Sequence, residues 1–219
     1  ISRDFGFGMS NGTVTLGGVA LPVVSWSPGA IVATVPAGTP TGELVVTRAA
    51  ADGGLSSVSG VTVTVGLVSK QAIRAVPSAY PTIQAAIDAA NAGDLVLVAP
   101  GVYNEMVIMW KPVQLQGWGE STVISAVKKS AQILQAWRNK AQSLLNANEI
   151  SLLPGQAAGA VVNGVEPALF FSEEGAGVFV VARANGKNAF RQSLAPRIDG
   201  FTITGADTGG GIVVNGYAD

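Results

Sequence analysis

The sequence predicts a mainly β chain in two parts: a small β-sandwich over residues 1–67, then a solenoid of stacked parallel strands over 68–219. Three observations predict it. Short β-like runs alternate with Gly, Pro, Asn and Ser turn material through the first part. Leu95–Ala99 is apolar at nearly every position and stops at Pro100-Gly101, after which a new apolar run begins at Met106. Charge is sparse: only 12% of residues are Asp, Glu, Lys or Arg, where an ordinary soluble domain has roughly 25%. That balance calls for a large buried surface. No apolar run approaches the ~18 residues of a membrane helix, so no membrane span is expected.

The composition also excludes chemistry. The chain has no cysteine and no histidine, which removes disulfides, thiolate catalysis, imidazole acid–base work and nearly all zinc or copper sites. The net charge is -1 and basic residues are not interleaved with aromatics, so no nucleic-acid partner is expected. The like-charge pairs Lys128-Lys129 and Glu173-Glu174 read as solvated surface. The chain opens "ISRDFGFGMSNG", with no basic start and no apolar stretch of a signal peptide, and the expectation is a piece of something longer.

In the first part the strands are expected at Thr13–Leu16, Leu21–Val24, Ile31–Val35, Glu43–Thr47 and Val61–Val65, with Trp26 as a core anchor. The segments "GFGMSNGTVTLGGVALPVVSW", "IVATVPAGTPTGELVVTRA" and "SSVSGVTVTVG" resemble the IPT/TIG family of immunoglobulin-like domains. Gly6-Phe7-Gly8, Val35-Pro36-Ala37-Gly38 and Gly42 carry the likeness. The family places a strand before its Gly-Phe-Gly, and few residues precede it here, so the sandwich is expected to be N-terminally truncated. The resemblance implies a spacer or binding module.

The second part opens with "YPTIQAAIDAANAGD". Ile83, Ala86, Ile87 and Ala90 repeat at i, i+3, i+4, i+7, the apolar face of a helix. Pro81 suits its first turn and Gly93 its left-handed close. The helix needs an apolar partner, and the nearest is Leu95–Ala99. A strand apolar on both faces must be covered twice, by a solenoid interior and by that helix. Met106–Met109 is the next strand, Lys111-Pro112 the next turn, and "VQLQGWG" opens another strand. The distance from Leu95 to Val113 matches one turn of a strand-turn repeat of roughly 20 residues. The whole stretch, "PTIQAAIDAANAGDLVLVAPGVYNEMVIMWKPVQLQGWG", resembles the N-terminal cap and first coil of the pectate-lyase-like right-handed parallel β-helix. The resemblance implies architectural roles for Tyr103, packed at the corner, and for Glu105, bonded to backbone at the turn.

Ser121–Ala126 reads as a strand, after which the period changes. Ile133, Leu134, Trp137, Ala141, Leu144 and Leu145 form one helical stripe, so a helical insertion is expected at about 127–150, with the helix itself over Lys129–Asn146. It is expected to lie outside the solenoid or on the sandwich, covering an edge or end, or docking a partner. Strands follow at Ala168–Ser172 and Val178–Ala182 around a turn at Glu173–Gly177. "IDGFTITGA" and "GGGIVVNG" then resume the coil pattern. The final coil carries no polar cap, which predicts either a continuing chain or a covering partner.

β-Helix enzymes acting on polysaccharides line one outer face with carboxylates and a basic group, some using Ca²⁺. The late carboxylates are Asp199, Asp207 and Asp219; Arg191 and Arg197 could pair with them. Asp199 and Asp207 read as turn residues, and no spacing singles out a base. No catalytic, cofactor-binding or metal residue is therefore assigned, and no cofactor is expected, Ca²⁺ being the one the resemblance would admit. The resulting expectation is a non-catalytic structural, adhesive or assembly module of a larger secreted or bacterial cell-surface protein. Its expected partners are other surface proteins, further copies of itself through the open solenoid end and the inserted helix, or polysaccharide. The alternative is the N-terminal part of a carbohydrate-active lyase, hydrolase or epimerase whose active coils lie beyond residue 219.

Overall fold

Alternation of small apolar and polar residues, broken by glycine turns, produces short strands through the first part, most of them overlapping the predicted ones. In the computed structural model, residues 6–58, 61–66, 71–127, 131–151, 176–183, 185–206 and 210–216 are described. The expected strand Ala168–Ser172, the pairs Lys128-Lys129 and Glu173-Glu174, and Asp207 and Asp219 lie outside them. The fold is mainly β, and the chain divides into two compact units, Ile1–Ser69 and Lys70–Asp219.

The first unit contains β1 (Thr13–Leu16), β2 (Val19–Ala20), β3 (Val23–Ser27), β4 (Ala30–Ala33), β5 (Gly42–Thr47) and β6 (Val61–Val63). They form an antiparallel sheet of order β2-β1-β5-β6 and a β3-β4 hairpin. Of the expected strand Leu21–Val24 only Val23 and Val24 are extended in a strand, at the start of β3, and β2 forms just before it. Gly17 and Gly18 (φ +55° and +80°) turn the chain back so that Val19 pairs with Leu16, and the chain then leaves for the hairpin through buried Leu21. Val14, Leu16 and Leu21 form the core, with Val23, Trp26, Ile31 and Ala33 of the hairpin and Leu44, Val46 and Val63 of the sheet packed around them. Trp26 is half-buried at the margin of this core. Its Nε1–H donates to the Gly8 carbonyl (3.2 Å) and its ring meets Phe7 edge-on (6.2 Å).

The second unit begins with β7 (Ile73–Val76) and α1 (Ile83–Ala89). Then come β8 (Leu95–Val98), β9 (Gly101–Tyr103), β10 (Val107–Met109), β11 (Gln114–Gln116) and β12 (Thr122–Ser125). After α2 (Ala131–Asn146) follow β13 (Val178–Val181), β14 (Arg197–Asp199), β15 (Thr202–Thr204) and β16 (Ile212–Asn215). All pairings here are parallel, in three sheets: β14-β11-β8-β7, β15-β12-β9 and β10-β13-β16. Successive strands from β8 onward enter the first, second and third sheet in rotation. One residue per circuit stacks on its counterpart: Val96, Leu115 and Ile198 in the first sheet, Tyr103, Ile124 and Ile203 in the second, Ile108, Phe179 and Val213 in the third.

Each circuit thus has three strands, one more than the sequence suggests. The Pro100-Gly101 corner runs straight into β9, a strand too short to show a period. At the next corner Gly117 lies against Gly200. Its N–H donates to the Asp199 carbonyl (2.8 Å), and a Cβ on Gly117 would sit 2.1 Å from the Gly200 oxygen. Backbones approach there because neither residue has a side chain. Asp199, expected in a turn, ends β14; Gly200 (φ +70°) makes the turn.

α1 starts two residues after Pro81, because Thr82 caps it: the Thr82 hydroxyl accepts from the Ala85 N–H (3.1 Å). It closes at Ala90, three residues before Gly93, whose φ of +86° serves the Asn91–Asp94 turn instead. α1 packs on β7 and β8 of the first sheet and on β10 of the third, so it bridges two sheets rather than blanketing β8 alone. Every residue of β10 and β13 is buried, which requires cover on both faces. α2 supplies part of it. Trp137, Ala141 and Leu144 are its buried stripe, and the Trp137 ring meets Phe179 edge-on at 5.6 Å.

Candidate functional site

The stretch 103–111 lies beneath α1 and holds it at both ends. Glu105 follows β9, and its Oε1 and Oε2 accept the Ile83 N–H (2.9 Å) and the Gln84 N–H (3.1 Å). These are first-turn donors that the helix itself leaves without partners, and the carboxylate also sits at the positive end of the helix dipole. Glu105 therefore bonds backbone as the resemblance implies, but the backbone of α1 rather than of its own turn. At the other end Lys111 Nζ, buried, donates to the carbonyls of Asp88 (2.5 Å) and Ala90 (2.8 Å) and lies 4.4 Å from the Trp110 ring. This cation, rather than glycine, satisfies the end of the helix. Burial lowers the Lys111 amine below its usual range, against the opposing pull of Asp88. Tyr103 is buried at the corner as expected, its hydroxyl donating to the Ala99 carbonyl (2.9 Å); burial, and then the Glu105 charge, raise its phenol.

The polar face of α1 is equally occupied. Gln84 exchanges two bonds with the Ile108 backbone, N–H to Oε1 (2.8 Å) and Nε2–H to carbonyl (3.2 Å). Asp88 Oδ1 accepts from Trp110 Nε1 (2.8 Å) and Gln84 Nε2 (3.1 Å), while its Oδ2 takes Lys140 Nζ of α2 at 2.7 Å. One turn further, Asp94 is fully buried. Its Oδ1 accepts the Ala72 N–H (2.9 Å); its Oδ2 accepts the Asn91 N–H (2.9 Å) and the Arg74 guanidinium (2.9–3.0 Å). Burial alone would raise the Asp94 carboxyl; the two backbone donors and Arg74 outweigh it and hold it below the ordinary value. Arg74 in turn donates to Tyr80 Oη (2.9 Å), and that bond and Asp94 raise its guanidinium.

Between α1, the β9–β10 turn and α2 lies a cleft of about 250 Å³. Thr82, Gln84, Asn104, Glu105 and Lys140 give it polar walls, and Met106, Ile108, Ile133 and Trp137 an apolar floor. Burial of Glu105 beside this floor raises its carboxyl above the usual range, although the two helix N–H groups pull the other way.

The late-coil residues form a separate row. Arg197 donates from Nη1 to Gln114 Oε1 (2.7 Å) and from Nη2 to Gln116 Oε1 (2.8 Å), and its Nε stands 3.9 Å from Asp199 Oδ2. Burial lowers the Arg197 guanidinium, with Asp199 opposing. Of the expected pairings, then, Arg197 does meet Asp199, at long range; Arg191 is exposed before a 3₁₀ turn, and no ion pair joins it to Asp199 among the described residues. No three His, Cys, Asp or Glu side chains converge on a point suited to a metal among the described residues.

Sequence reasoning did not single out Asp88, Asp94, Arg74, Lys111 or Lys140. Gln84 and Asp88, four apart on the polar face of α1, were the available signal for a second covering surface; a face so patterned reads as solvated until α2 is in place. No family model matches the chain, and neither does any curated protein or solved structure.

Proposed function

We propose that the chain is a non-catalytic structural, adhesive or assembly module of an exported bacterial protein. In this reading an IPT/TIG-like sandwich is followed by the first coils of a right-handed, pectate-lyase-like parallel β-helix. The rotation of strands through three parallel sheets supports the second assignment, and the two-layer antiparallel core the first. The observation that carries the non-catalytic reading is the engagement of the carboxylates. Glu105 accepts two N–H groups at the start of α1, Asp88 takes Trp110 and Lys140, Asp94 takes Ala72, Asn91 and Arg74, and Asp199 faces Arg197, so each is engaged in holding the fold. Export, and partners among other surface proteins, further copies or polysaccharide, rest on the two resemblances.

The test is incubation of the 219-residue chain with a panel of acidic and neutral polysaccharides, with and without Ca²⁺. Reducing ends and the ultraviolet absorbance of unsaturated sugars are followed. No turnover above buffer is expected. Turnover that disappears in a variant of one coil carboxylate would replace this reading with a carbohydrate-active enzyme.

A further inference from the structure

Glu105 is more than a helix clamp. A carboxylate has about four acceptor positions, and two are filled by the Ile83 and Gln84 N–H groups. The residue also lines the 250 Å³ cleft, whose floor of Met106, Ile108, Ile133 and Trp137 is apolar. No ion pair among the described residues neutralises it: the ion pairs join Arg74 to Asp94, Lys140 to Asp88 and Arg197 to Asp199. Lys140, the one cation lining the cleft among the described residues, is paired with Asp88 at 2.7 Å. An anion at one wall, apolar surface beneath and a small volume together select a slender cation: a charged head for the carboxylate and a short hydrocarbon stem for the floor.

From this geometry we infer that the cleft between α1 and α2 binds an ammonium group on an unbranched alkyl chain, with Glu105 as its counter-ion. The ligand is either a free aliphatic amine or the side chain of a lysine on a partner protein. The inference stands apart from the non-catalytic reading of the chain, since it asks only for the cleft and Glu105. A bound cation would also return Glu105 toward the ordinary carboxylate range.

The experiment titrates the 219-residue chain with n-butylammonium, n-butanol and butyrate, and with a short unstructured peptide carrying one central lysine. The backbone amides of Ile83 and Gln84 and the indole of Trp137 are followed by NMR. Saturable shifts at these three groups are expected with n-butylammonium, at least tenfold tighter than with butanol and absent with butyrate. Glu105→Gln, which keeps one acceptor for the helix, should weaken n-butylammonium at least tenfold. Ala136→Leu, which fills the cleft and leaves Glu105 in place, should abolish the shifts even if Glu105→Gln perturbs the fold. Tighter binding of the lysine peptide than of n-butylammonium assigns the site to a partner protein; the reverse assigns it to a free amine. Equal affinity for butanol, or undiminished binding in Ala136→Leu, would overturn the inference.

Discussion

Asp94→Ala is expected to destabilise the second unit more than any other single carboxylate change. Asp94 has no exposed surface and receives four donors: the N–H groups of Ala72 and Asn91, and Nε and Nη2 of Arg74. It thereby joins the residue before β7 to the turn between α1 and β8. Alanine leaves both backbone donors without their acceptor, at about 1–3 kcal/mol each. Arg74 loses its partner too, but it keeps Tyr80 and is 21% exposed, so water relieves part of that loss. The sum is about 4 kcal/mol, in line with the roughly 3–5 kcal/mol of breaking a buried pair from one side. For a unit of this size that lowers Tm by about 8–16 °C. Urea unfolding followed by circular dichroism and tryptophan fluorescence measures it, and Asp94→Asn, which keeps one acceptor, should fall between. A loss below about 1 kcal/mol for Asp94→Ala would refute the reasoning, because it would mean that the two N–H groups find water.

Three further outcomes are expected. The two carboxylates give pH effects of opposite sign. Asp94, held low, contributes stability that is present above its ordinary value of 3.8 and lost as pH falls through its folded value. Glu105, held high, contributes stability that is present below its ordinary value of 4.5 and lost as pH rises through its folded value. Urea midpoints from pH 3 to 7 should therefore rise more steeply with pH in Glu105→Gln than in the parent chain; parallel curves would contradict the assignment. Gly200→Ala should cost about 1–3 kcal/mol in urea unfolding, since φ is +70° and the new Cβ would lie 2.6 Å from the Gly117 oxygen. Lys140→Met should cost less than about 1 kcal/mol by the same measurement, because the pair with Asp88 is about a third exposed on each side.

Much of this was legible from residue patterns. The β character, the α1 stripe, the α2 stripe and the strand at 95–98 follow from periodicity, because each buries one face or two against a large neighbour. The stretch from Tyr103 to Lys111 was legible as a corner, a strand at Met106–Met109 and a turn at Lys111-Pro112, but its work was not. Glu105 and Lys111 act on a helix some 20 residues earlier, and nothing local in the sequence records which backbone donors a carboxylate will meet. β9 escaped notice because three residues carry no period. Asp94 was not singled out, since its role depends on Ala72 and Arg74 being brought alongside by β7. Nothing local in the sequence marks the polar face of α1 as covered, because Lys140, which pairs with its Asp88, lies 52 positions away along the chain.

The placement of Glu105, the cleft and the row at Arg197 all depend on one circuit of chain stacking directly on the next. Val102 of β9 and Val123 of β12 are register partners, and Val102 is 65% exposed. Since the chain has no cysteine, the double variant Val102→Cys/Val123→Cys offers a single possible intramolecular disulfide. Adjacent paired strands fall within the 4.4–6.8 Å Cα separation a disulfide needs. The measurement is the fraction of crosslinked monomer after mild oxidation, read by mass and by non-reducing gel. The account predicts near-complete crosslinking for this pair and little for Val102→Cys/Ile124→Cys, whose side chains leave opposite faces of the sheet. Equal crosslinking of both pairs, or of neither, would contradict it.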